Sequence, residues 1–125
     1  MRVIVTKDCG NSPKNMFLEK LTVAFAKGGT KLILGSVADD IRWDTVGGGL
    51  VQGKDDFVEA LKRMKTNQVV ELTIYHVVTH GKAGAVNGTT KLKNGSTRAF
   101  CDVYEFSGAK GTTVKEITSY VIEIT

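Results

Sequence analysis

An acid stands between two aromatic residues in AFCDVYEF, residues 99–106. In a strand, Phe100, Asp102, Tyr104 and Phe106 share one parity, while Ala99, Cys101, Val103 and Glu105 share the other. The aromatic parity is the one expected to face a core, and it carries Asp102 inward with it. A lone carboxylate costs several kcal/mol to bury unless it is paired, hydrogen-bonded or set against a solvated hollow. Two readings follow. Asp102 is a structural acid paired with Arg98 or a backbone amide, or it lies at the floor of a ligand cavity. In the second case desolvation raises its pKa and fits it for general acid or base work near neutral pH.

Other candidates are weaker. His76 and His80 are four residues apart, a metal-ligand spacing on a helix, but VVELTIYHVVTH reads as a strand, in which the two lie ~13 Å apart. His76 shares the parity of Leu72, Ile74 and Val78, so it is either a hydrogen-bonded core histidine or part of a pocket wall. GGLVQGKD at 48–55 nearly spells a phosphate-binding loop, yet Asp55 occupies the place of the magnesium-binding hydroxyl and would repel phosphate. Asn87-Gly88-Thr89 and Asn94-Gly95-Ser96 fit the glycosylation pattern and read instead as turns or a bulge. Cys9 and Cys101 lack metal-type spacing and read as reduced thiols. No metal and no cofactor is expected.

The elements that must position these groups belong to one domain, residues 1–125, long enough for a single core. The net charge of +4 is spread along the chain, with its main concentration, Lys62, Arg63 and Lys65, where cations complement a helix C-terminus. Nucleic acid is therefore not an expected partner. No apolar run approaches the ~20 residues that span a bilayer, and MRVIVTKDC lacks the features of a signal peptide, so a cytoplasmic protein with no membrane partner is expected.

RVIVT at 2–6 is β-prone. Ser12-Pro13 starts a helix, with Phe17, Leu21, Ala24 and Phe25 at helical spacing, and Gly28-Gly29 ends it. A shorter helix runs from Thr30 to a turn at Asp39-Asp40. Ile41, Trp43 and Thr45 then alternate as a strand, Gly47-Gly48-Gly49 forms a loop, and a third helix follows Gly53, with Phe57, Leu61 and Met64 on one face. From Val69 the chain reads as antiparallel strands, with Asn94-Gly95 a strong hairpin turn. Helices first and a meander afterwards define an α+β fold.

The order of these elements, with ADDIRW after the second helix, QG before the third, AVNGT, and CDVYEF followed by VKEITSY, resembles the NTF2-like superfamily over residues 12–123. That group includes nuclear transport factor 2, ketosteroid isomerase, scytalone dehydratase and the SnoaL-like polyketide cyclases. The resemblance implies a cystatin-like cone, three N-terminal helices packed on a strongly bent, mostly antiparallel sheet with a hollow at its wide end, and a homodimer through the sheet's outer face. It also places Asp102 at the position of the isomerase acid that donates a hydrogen bond to the substrate oxyanion. The isomerase's proton-shuttling acid, by contrast, falls at Thr45, with Asp44 one residue off and pointing outward, and its helix tyrosine falls at Leu21.

The sequence thus leads to a SnoaL-like, ketosteroid-isomerase-like domain that binds a small hydrophobic molecule and acts on it, if at all, by acid–base chemistry other than steroid isomerisation. Asp102 and His76 are the expected catalytic pair, and Trp43, Thr45, Leu21, Phe25, Phe100 and Tyr104 the expected pocket. A non-catalytic carrier and a protein-interaction module using the outer sheet face are the competing readings.

Overall fold

A computed structural model describes residues 1–6, 9–64 and 68–124. The chain runs β1 (Arg2–Val5), α1 (Pro13–Lys27), α2 (Thr30–Ser36), β2 (Val37–Thr45), β3 (Gly49–Gln52), α3 (Lys54–Met64), β4 (Val69–His80), β5 (Ala83–Leu92), β6 (Thr97–Phe106) and β7 (Val114–Glu123). The strands form one sheet in the order β1-β4-β5-β6-β7-β2-β3.

Local chemistry explains the helix ends. The Ser12 hydroxyl accepts from the Asn15 amide at 3.2 Å, Pro13 occupies a position that needs no donor, and Gly28 closes α1 in the left-handed region at φ 80°. Asn15 then ties α1 to the sheet: its Nδ2 donates to Cys9 O and Val77 O, and its Oδ1 accepts from Thr79 Oγ1 at 2.6 Å. At the same end Lys14 Nζ donates to the carbonyls of Gly81 and Ala109 and lies 4.4 Å from the centre of the Phe106 ring. Leu18, Leu21, Ile41, Phe57, Leu72, Ile74, Val86, Phe106 and Ile117 fill the core between helices and sheet.

The architecture is α+β and the sheet is mostly antiparallel, as expected, but two of its joins are parallel. The sheet is mixed: β4 to β7 form an antiparallel meander, while β1 joins β4 and β2 joins β7 in parallel. The three helices all precede the meander, with β1 before them and β2 between α2 and α3 as read from the sequence, and β3 added after β2. Asp39-Asp40 is part of β2, not a turn, and the glycine run leads into β3, which pairs antiparallel with β2. Gly48 and Gly53 spend their amides on Thr45 O and Ile41 O, so GGLVQGKD makes a hairpin and a helix start. Lys65 lies outside the described residues.

One irregularity decides which face a residue occupies. Along β4 Leu72 and Ile74 are buried, Tyr75 and His76 are both exposed, and Val77 is buried again. The β4–β5 register shifts between Ile74 and His76, a β-bulge that reverses the parity of everything after it. Gly88, paired with Ile74, accommodates the bulge: a Cβ there would come within 2.0 Å of Thr73 O and 3.1 Å of the Phe100 ring.

Candidate active site

The inner face of β6 carries Arg98, Phe100, Asp102 and Tyr104 in alternation, and all four border a cavity of about 880 Å³ between the sheet and the helices. α1 contributes Thr22 and Phe25, β2 contributes Trp43 and Thr45, and β7 contributes Ile117, Ser119 and Val121. Tyr104, Ile33 and Leu72 on its wall are almost fully buried, and Lys27, Gln68 and Val121 on its wall are exposed.

Asp102 is paired across the ladder with Ser119 on β7, and its inward position is the one strand parity implies. Burial pushes its carboxyl up from 3.8 to about 6, and a hydrogen bond from the Ser119 hydroxyl partly offsets that rise. The direction of this bond is fixed from behind. Trp43 Nε1, which can only donate, gives its hydrogen to Ser119 Oγ at 2.9 Å, so the serine proton is left for Asp102. Trp43 is itself wedged between Phe25 and Phe57, with ring centroids 5.6 and 5.5 Å away. Asp102, beside Ser119, borders the cavity.

Two residues along β6, the Tyr104 hydroxyl is buried and has no hydrogen-bond partner among the described residues. Burial raises its pKa well above the usual phenol value, and the charge of Asp102 adds to the rise. The Thr22 hydroxyl pulls the other way: it donates its own proton to Leu18 O at 2.8 Å and keeps its oxygen as an acceptor, but it forms no hydrogen bond with the phenol. Tyr104 is therefore a neutral phenol with an unspent donor beside an acid that ionises near neutrality. An unsatisfied buried hydroxyl costs about 1–3 kcal/mol, which a ligand oxygen accepting from it would recover.

Of the residues expected from the sequence, Asp102, Trp43, Thr45, Phe25, Phe100 and Tyr104 border this cavity. Leu21 does not: it is wholly buried in the core, and Thr22, one residue on, takes the place at the wall. His76 is on the other side of the sheet, because the β4 bulge turns it outward, where Nδ1 meets Asn87 Oδ1 at 2.9 Å. It is not a catalytic partner of Asp102. Arg98 also departs from expectation, since it forms no ion pair with Asp102 or with any other described residue. Ser119 was missed from the sequence. TSYVIEI offers a parity pattern, but the cross-strand register that sets Ser119 beside Asp102 is not written in it.

Among the described residues bordering the cavity, Asp102 is the only carboxylate and there is no histidine. No three His, Cys, Asp or Glu side chains among the described residues are grouped to hold a metal ion. Cys9 is buried and Cys101 half-buried, both free, and neither borders the cavity. No helix is long and apolar enough to cross a membrane. What this arrangement can do is transfer one proton at Asp102 and donate a hydrogen bond from Tyr104.

A mixed sheet covered by helices, with an acid on its inner wall, defines a class of α+β proteins with a cavity between the two layers. Within that class the chain has the NTF2-like fold. It superposes on an NTF2-like protein of unknown function from Cytophaga hutchinsonii at 24% identity and TM-score 0.67, over 86% of this chain and 97% of that one. A second such protein, from Burkholderia xenovorans, matches at 17% identity and TM-score 0.73, over 90% and 84%. An M. tuberculosis LEH-like epoxide hydrolase matches at 19% identity and TM-score 0.71, over 86% and 80%. No protein-family model matches the chain, and no curated protein does. At these identities the likeness establishes the fold and leaves the activity to the site.

Proposed function

We propose that the protein binds a small, largely apolar molecule in the cavity and acts on it by acid–base chemistry at Asp102, as an isomerase-, cyclase- or dehydratase-type enzyme of the SnoaL-like kind. The observation that carries this reading is a carboxyl at about 6 on the wall of a large apolar-lined cavity, beside the unpartnered hydroxyl of Tyr104. An acid poised there populates both protonation states near neutrality, the condition general acid–base catalysis needs. The protonated form gives its hydrogen to a substrate oxygen, and the carboxylate that results keeps the Ser119 hydrogen bond. Tyr104 donates to the same region of the substrate and stays neutral. With one carboxyl on the described wall, the step is a single proton transfer, its counterpart supplied by water or by the substrate. Steroid isomerisation, for which the resemblance requires an acid at Thr45 as well, is not the proposed reaction.

Thermal unfolding of the wild type and Asp102→Asn against steroids, aromatic polyketide-like compounds, fatty acids and terpenoids is the test. A ligand at ~100 times its Kd adds ~2.7 kcal/mol and raises Tm by roughly 8 °C. A compound that stabilises both proteins and is turned over only by the wild type supports the reading. Stabilisation without turnover by either makes the protein a carrier, and no stabilisation by any class removes the cavity as a binding site.

The opposite face of the sheet supports a second proposal, a homodimer. Val78, Val103, Tyr120 and Ile122 are exposed there around a shallow depression of about 420 Å³ that also includes His76, Ala85 and Asn87. Exposed apolar side chains gathered on one face are characteristic of protein contacts.

A further inference from the structure

The charges around the cavity are arranged in order. Along the inner parity of β6 the order is Arg98, Phe100, Asp102 and Tyr104, all bordering the cavity, with the first three half-buried and Tyr104 fully buried. Lys27, in the last turn of α1, is exposed and also borders the cavity. Arg98 forms no hydrogen bond or ion pair with any described residue, and Glu123, its partner across the β6–β7 ladder, closes no bridge to it. It is only half-buried and borders the cavity with its fork of donors unspent. Lys27 also complements the carbonyl end of α1, which makes Arg98 the stronger candidate for an anion contact.

We propose that the ligand is an amphipathic carboxylate: its anionic end pairs with Arg98, its apolar body lies along Phe100, and a carbonyl or hydroxyl oxygen at its other end accepts from Tyr104. This inference rests on the cavity being the binding site and specifies the ligand class for it. Along β6 the Cα of Arg98 lies ~20 Å from that of Tyr104 and ~13 Å from that of Asp102. The first separation, shortened by the reach of the two long side chains, suits a medium-length acid with its second oxygen near the far end, and the second sets its charge apart from Asp102, which a short acid would bring into repulsion. The unpartnered phenol and the unpartnered guanidinium are independent observations, and one molecule satisfies both.

Calorimetric titration with 9-oxodecanoate, decanoate and 2-decanone tests it on the whole chain. These probes carry both oxygen functions, the anion alone and the ketone alone. The oxo acid is expected to bind about ten- to a hundredfold tighter than 2-decanone, the range of a charge-assisted pair, and tighter than decanoate as well. Arg98→Gln should erase the advantage over 2-decanone while leaving the ketone's affinity unchanged, and Arg98→Lys should retain part of it. Tyr104→Phe should erase the advantage over decanoate. If 2-decanone binds as tightly as the oxo acid, or Arg98→Gln leaves the ratio intact, the anion site is refuted while the cavity survives as a binding site. If none of the three binds, both this inference and the cavity reading beneath it fall.

Discussion

Moving Asp102 from water to the cavity wall raises its carboxyl from 3.8 to about 6, so between those pH values the native state holds a proton that the unfolded chain has released. The sign follows directly: stability from this group is greatest below about pH 4, declines as pH rises through about 6, and is constant above that. Since the group is partly solvated, the decline is on the order of 2 kcal/mol. Asp102→Asn abolishes this titration while keeping an acceptor for Ser119. The variant is expected to gain on the wild type by about that amount between about pH 4 and about pH 7, measured as denaturant unfolding free energies. A gap that does not change with pH would mean that Asp102 is not desolvated. The inward position of Asp102 was legible in AFCDVYEF, because one parity carries three aromatics. Its engagement by Ser119 was not legible, because serine carries no parity signal and its register depends on the β6–β7 pairing.

At the scale of elements, the β4 bulge does most to shape the site. Strict alternation from Leu72 and Ile74 carries His76 inward, and one extra residue sends it outward with Val78 and brings Val77 into the core. Gly88 is the residue on β5 that leaves room for it. Gly88→Ala would press its Cβ on Thr73 O at 2.0 Å, where backbone, not a flexible side-chain end, must move. The expected loss is about 3 kcal/mol or more by chemical denaturation, and a near-neutral result would show that the bulge relaxes freely. His76→Ala makes the complementary prediction, with any cavity ligand's affinity unchanged within about twofold by titration. A large loss would return the histidine to the cavity. The third helix and the capped first helix were readable because their signals are local. β3 was not, since four residues after a glycine run carry too little pattern to show a strand.

At the scale of the whole molecule, the two faces of one sheet differ: the inner face borders the cavity, and the outer face carries exposed apolar side chains. If the outer face pairs two copies, Ile122→Glu, which puts a charge on its most exposed apolar residue, should turn a dimer into a monomer by light scattering without changing the pH response of Asp102. A wild type that is already monomeric at micromolar concentration would sink the dimer proposal. The sequence by itself determined the ends of the first helix, the start of the third, the α+β class and the inward face of β6 that carries the acid. These follow from caps, turns and periodicity, which act over a few residues. Only the tertiary structure decided that β1 and β2 join the meander in parallel, that a bulge removes His76 from the site, that Leu21 is core and that Ser119 and Trp43 orient Asp102. Each of these depends on which distant strand lies alongside and in what register, and that is set by packing across the entire chain.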